Sequence, residues 1–134
     1  MKRNSNLPPE PGAALLEIAT ELEKSRTFVL AAHSRPDGDT AGSELALYSF
    51  LKRRGKKVSI YSKHPLPEIY SFLPNASLIK TTDSVEGFFD VAIILECPDL
   101  SRTGDIIDLK KNAGKSINLD HHAGFSLYAD INCI

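Results

Sequence analysis

Three short stretches of this chain stop at residues able to hold a cation. Phe28-Val29-Leu30-Ala31-Ala32 is an unbroken apolar run that ends at His33, with Asp37 and Asp39 close behind. Val91-Ala92-Ile93-Ile94-Leu95 ends at Glu96, with Asp99 just beyond, and Lys115-Ser116-Ile117-Asn118-Leu119 ends at Asp120-His121-His122. A short apolar run rich in branched residues and bounded by turn formers reads as a strand buried on both faces, the kind found in parallel sheets. In open α/β sheets ligands bind beyond the carboxyl ends of the strands. If these strands run parallel, all three clusters meet at one edge.

The first cluster is bent by Pro36 and Gly38, and Asp37 and Asp39 flank that one glycine. Carboxylates held so close repel one another unless a proton or a cation holds them, which points to a divalent metal. The plainer reading is a solvated turn in which Asp39 or Thr40 caps the following helix. The third cluster sets two imidazoles after an aspartate, giving neutral nitrogen donors beside a carboxylate that can orient one ring.

The rest of the chain alternates between the two periods. Leu15, Ile18, Ala19 and Leu22 recur at helical spacing over residues 13–24, and Leu45, Ala46, Tyr48, Phe50 and Leu51 do so over 41–53, where Gly55 ends the helix behind Lys52-Arg53-Arg54. Val58-Ser59-Ile60-Tyr61-Ser62 and Leu78-Ile79-Lys80 read as strands, with a helical turn near 68–72 between them; Ile106, Ile107 and Leu109 suggest a short helix ending near Gly114. Residues 1–12, with three prolines, read as a flexible lead-in, and His64 as a surface histidine. The pattern predicts an α/β domain over 13–134: a three-layer, mostly parallel, doubly wound sheet of about five strands with helices on both faces.

Composition narrows the chemistry. A chain of 134 residues with 42% hydrophobic and 25% charged residues and a net charge of −1 has no broad electropositive face for nucleic acid. An anionic substrate must be held locally. No apolar run approaches the roughly 20 residues of a membrane span, and no membrane partner is expected. Cys97 and Cys133 do not form a Cys-x-x-Cys pair, so they read as packing residues of a reduced, cytoplasmic protein.

His33-x-x-x-Asp37-x-Asp39, the carboxylate after the Val91 strand and Asp120-His121-His122 resemble motifs one, two and three of the DHH phosphoesterase superfamily. Pro36-Asp37-Gly38-Asp39, Gly42-Ser43, Ala46-Leu47, Gly55-Lys56-Lys57-Val58, Ser101-Arg102-Thr103-Gly104 and Asp130-Ile131-Asn132 are similar to its nanoRNase and adenosine 3′,5′-bisphosphate phosphatase branch. The resemblance implies two manganese ions, with magnesium or cobalt as substitutes. It places His33 and Asp37 on one ion, Asp39 and His121 on the other, and Glu96 between them, where aspartate is usual; Asp99 is the other carboxylate within reach. It also implies that Asp120 orients a ligand histidine, that His122 contacts the scissile phosphate, and that Arg102 pairs with a substrate phosphate, although an ion pair with Asp99 or Asp105 is an equal reading. Short RNA or a nucleotide phosphate is the implied substrate, hydrolysed by activated water, and a homodimeric parent is compatible with it. Other members of the superfamily act as cyclic-dinucleotide phosphodiesterases, single-strand exonucleases or pyrophosphatases, and a non-catalytic nucleotide-binding domain is the reading outside enzymes. The family's C-terminal DHHA1 domain and a further metal-binding aspartate have no counterpart in these residues, so weak or absent hydrolysis is expected of them alone.

Overall fold

A computed structural model describes residues 10–134. Its strands are β1 (Thr27–Ala32), β2 (Lys57–Ser62), β3 (Ile79–Thr81), β4 (Phe89–Leu95), β5 (Ala113–Leu119) and β6 (Ile131–Cys133). They form one sheet in the order β3-β2-β1-β4-β5-β6, and every neighbouring pair is parallel. From β1 the chain winds first towards β3 and then, from β4, towards β6. The order reverses between β1 and β4, and this is the switch point at which such sheets open a crevice.

The reversal decides what covers each face. Right-handed crossovers running in opposite directions along a sheet fall on opposite faces. The β1-to-β2 crossover is the long helix α2 (Gly38–Arg53), and it shares its face with α1 (Pro11–Lys24). Ala14 and Ile18 of α1 and Leu45 and Leu51 of α2 pack there on Phe28, Leu30, Val91, Ile93 and Ile117. The β4-to-β5 crossover holds only a 3-10 turn (Leu100–Thr103) and the four-residue helix α3 (Leu109–Asn112). On that face Val29, Ala31, Ala92 and Ile94 are sealed by Val85, Cys97, Ile106, Ile107 and Ala113, drawn largely from connecting segments.

The α/β architecture expected from the sequence is therefore present, with four local differences. The sheet has a sixth strand, because Ile131–Cys133 pairs with β5 through Ile117↔Ile131 and Leu119↔Cys133. Helix α1 begins at Pro11, inside the expected lead-in, since proline lacks only a donor that the first helical turn leaves free; residues 1–9 of that lead-in lie outside the described residues. Leu15 is exposed and Ala14 takes its place in the core. The helix expected from Ile106 is shorter, because Asp105 adopts φ 55° and Asp108 caps α3 by accepting from the amides of Lys110 and Lys111. Gly55, at φ 75°, closes α2 as expected: its amide reaches Lys52 O and that of Lys56 reaches Leu51 O, the paired bonds of a left-handed helix end. No described helix is long and apolar enough to cross a membrane.

Candidate metal centre

The register of the three central strands brings the clusters level. Ala32 pairs with Leu95, and Leu95 with Leu119, so His33, Glu96 and Asp120 are the next residues on three adjacent strands. Two backbone bonds extend the ladder past that point, from Glu96 N to Leu119 O (3.0 Å) and from Asp120 N to Cys133 O (3.1 Å). A third, from Ser34 N to Arg102 O (2.6 Å), ties the turn after β1 to the segment after β4.

After β1 the turn is built by its helix. Asp37, rather than Asp39 or Thr40, is the N-cap of α2: its Oδ1 accepts from Thr40 N (2.9 Å), while Thr40 Oγ1 accepts from Asp37 N (2.8 Å). This reciprocal pair satisfies two amides that the helix start leaves free. The other oxygen, Oδ2, stays 3.6 Å from His33 Nε2. The Thr40 amide, above all, holds the Asp37 carboxyl below its ordinary range, with the His33 charge adding to it against partial burial. Asp39 stands exposed in the first turn of α2, and its charge reaches His121.

After β4 and β5 the side chains hold one another. Glu96 has φ 55°, a left-handed conformation that a glutamate adopts only when its surroundings impose it. Its Oε2 lies 2.6 Å from His121 Nε2, and this hydrogen bond and charge hold the His121 imidazolium above its ordinary range. Asp120 Oδ1 accepts from the His121 amide (2.8 Å) and meets His122 Nδ1 at 2.5 Å. The Asp120 side chain is 0% exposed, yet its Oδ2 has no hydrogen-bond partner among the described residues. Glu96, Asp120, His121 and His122 each offer a donor atom, all within 4.8 Å of one another.

The expected residues thus form a group of four and a neighbouring set from the β1 turn. Glu96, Asp120, His121 and His122 make the group; His33 and Asp37 pair beside it, and Asp39 flanks them. Asp99 does not join: its Oδ1 caps the 3-10 turn through Ser101 N (2.9 Å) and Ser101 Oγ (2.6 Å). Arg102 is exposed in that turn and forms no ion pair among the described residues, although its charge helps hold the Asp99 carboxyl below its ordinary range after the two Ser101 bonds. Cys97 is wholly buried, and burial pushes its thiol up to about 12, which fits a packing residue and not a thiolate ligand.

The sequence reading missed Tyr128. Its hydroxyl sits 2.7 Å from Cys97 O and 2.9 Å from Asn118 Oδ1, and Ser126 N donates to Pro98 O (2.8 Å). Together they pin the loop that carries His121 and His122 onto the end of β4. A lone tyrosine in a polar loop gives no periodic signal. A carboxylate and imidazole donor set with no thiolate suits a divalent ion such as manganese or zinc, and the buried, unpaired oxygen of Asp120 is compatible with one.

Residues 27–134 match the model of the DHH family, N-terminal domain. The chain belongs to the DHH family. Asp120-His121-His122, at the heart of the four-residue group, is the tripeptide that the family name spells. Among solved structures the DHH chain is similar to an exopolyphosphatase-related protein from Bacteroides fragilis, with a TM-score of 0.81 and 25% sequence identity. That match covers 90% of this chain and 38% of the other, so the chain spans well under half of that protein's length.

Proposed function

We propose that this chain supplies the metal-holding half of a DHH phosphoesterase that hydrolyses short oligoribonucleotides or adenosine 3′,5′-bisphosphate. One observation carries the reading. Three adjacent strands end level with one another on His33, Glu96 and Asp120, and the innermost carboxylate keeps a buried oxygen unpaired. A phosphoester is attacked where opposing charge can be neutralised on both sides of phosphorus, and this edge gathers the donors for that.

His33 and Asp37 would hold one manganese ion, Asp39 and His121 a second, and Glu96 would reach both. Such ions, when bound, make water a nucleophile at neutral pH and neutralise phosphate oxygens. The remaining roles belong to this chain's own groups. Asp120 fixes the His122 ring through Nδ1, which leaves Nε2 free to face a phosphate oxygen or to give a proton to the leaving group. This differs from the role implied by the resemblance only in which ring Asp120 grips. Arg102, exposed and without an ion-pair partner among the described residues, is free to fork a substrate phosphate. Glu96 is longer than the usual aspartate by one methylene, and its Oε2 meets His121 Nε2 at 2.6 Å.

The name of the Bacteroides fragilis protein favours a second reading, hydrolysis of inorganic polyphosphate. Both readings share the metal centre. The test is calorimetric titration of the chain with manganese, beside Asp37→Ala and Glu96→Ala, together with hydrolysis of a two-nucleotide RNA and of tripolyphosphate. Stoichiometric binding that is weakened in both variants is expected. A folded chain that ignores millimolar manganese would overturn the reading.

A further inference from the structure

The loop between β2 and β3 emerges at the same sheet edge as the candidate centre and brings an aromatic ring to it. Tyr70 ends a 3-10 turn (Glu68–Tyr70) and lies against Gly38, the first residue of α2, between Asp37 and Asp39. A Cβ at Gly38 would stand 3.2 Å from Tyr70 Cε1, 3.6 Å from Cζ and 3.7 Å from the hydroxyl. A Cβ at position 38 would make the ring give by a few tenths of an ångström, so the glycine lets the ring lie close against the turn. The ring is only half-buried, and Ile69 and Phe72 on either side are 73% and 77% exposed. An apolar ledge therefore adjoins the two carboxylates of the first turn.

We propose that Tyr70 is a specificity-determining residue: a platform on which the base of a nucleotide substrate stacks while its phosphate lies at the metal centre. This rests on the phosphoesterase reading above and decides between its two substrate classes. Inorganic polyphosphate has no aromatic or apolar group and gains nothing from an aromatic face beside two carboxylates. A nucleobase has a π-face of its own, and stacking of bases on aromatic side chains is tolerant of sequence. The loop of Tyr70 leaves β2 and the four-residue group follows β4 and β5, so the two flank the β1 turn along one sheet edge, in the order a base and its phosphate would take.

The test uses the whole chain with saturating manganese and two probes titrated by calorimetry, adenosine 5′-monophosphate and methyl phosphate. The nucleotide is expected to bind more tightly; Tyr70→Leu should weaken it about tenfold and leave methyl phosphate unchanged, whereas Tyr70→Phe should keep the preference. Thermal melts of both variants check folding. If Tyr70→Leu weakens both probes equally or neither, or if Tyr70→Phe behaves as Tyr70→Leu does, the platform is wrong and the ledge serves to seat protein instead. In that case the metal centre stands. Loss of manganese binding itself in the unaltered chain would remove both proposals together.

Discussion

Glu44 in α2 and Asp120 at the end of β5 each bury a carboxyl oxygen that has no hydrogen-bond partner among the described residues, yet their surroundings differ. Glu44 is 2% exposed on the packed side of α2, within one turn of Thr40 and beside Leu45, and burial alone raises its pKa to about 8. Asp120 faces two histidines, accepts from one amide and one ring through Oδ1, and keeps only Oδ2 unpaired. A buried carboxyl with no charged neighbour answers its desolvation by keeping a proton. The other carboxyl stands at a strand end among a glutamate and two histidines whose donor atoms lie within 4.8 Å of one another. The same local signature therefore marks a core defect in one region and a candidate ligand sphere in the other.

The largest effect separates the two through pH. Glu44 ionises near its ordinary value of 4.5 when unfolded and only at about 8 when folded. The folded state thus holds the extra proton between those values, and stability falls as pH rises through that window. Relative to Glu44→Gln, which cannot titrate, the unaltered chain should lose about 3–4 kcal/mol between pH 5 and pH 8. Urea unfolding of both proteins at a series of pH values measures it. Parallel pH profiles would mean that Glu44 has a partner in solution.

Asp120→Asn tests the other member of the pair. It keeps the size of the side chain and an acceptor for His122 and removes the charge. Manganese affinity should fall about 10–100-fold, as when groups behind metal ligands are lost, because Asp120 also holds the amide of His121, the proposed ligand. In the absence of metal, the melting temperature should shift little. A large loss of stability with unchanged metal affinity would make Asp120 a structural residue like Glu44.

How far each region could be read from the sequence follows the same division. The strands ending at Ala32, Leu95 and Leu119 are unbroken or alternating patterns, and parallel pairing turns their ends into one edge without further information. Asp37 and Thr40 are three residues apart, so a cap was legible there, though its identity was not: Asp37, Asp39 and Thr40 all have the chemistry, and only backbone conformation chooses. Tyr128, Tyr70 and the orphaned oxygens of Glu44 and Asp120 depend on contacts across the fold, as with Tyr128 and Cys97, 31 residues apart. Glu44 shares by helical spacing the apolar face of Ala41, Tyr48 and Leu51, and only its charge argued for water. Ile131–Cys133 is too short to declare itself until β5 offers an edge to pair with.

The two sides of the centre can be separated next. On the β1 side, Asp37 serves both as cap and as candidate ligand. Asn caps as well as Asp does, so Asp37→Asn should leave stability within a few tenths of a kcal/mol while weakening manganese binding. Thr40→Val should do the reverse, costing about 1 kcal/mol through the lost half of the reciprocal cap and touching metal affinity only slightly. Chemical denaturation and calorimetry on the two variants give a crossed pattern. If both properties fall together in both variants, cap and ligand are one unit.

The smallest effect concerns Glu96, whose backbone is left-handed at φ 55°. Asn75 shares that conformation at φ 64°, but asparagine visits it readily, so Asn75 needs no functional explanation. Glutamate does not, and its hydrogen bond to the exposed His121 ring returns little stability. Glu96→Gly removes the strain at the cost of a more flexible unfolded chain, and the balance should be a gain of less than about 1 kcal/mol. Manganese binding should fall in the same protein. A gain in stability alongside a loss of metal identifies a residue held in place for what it binds, whereas a loss of more than about 1 kcal/mol would mean that the contacts of Glu96 within the fold, and not a ligand, fix its conformation.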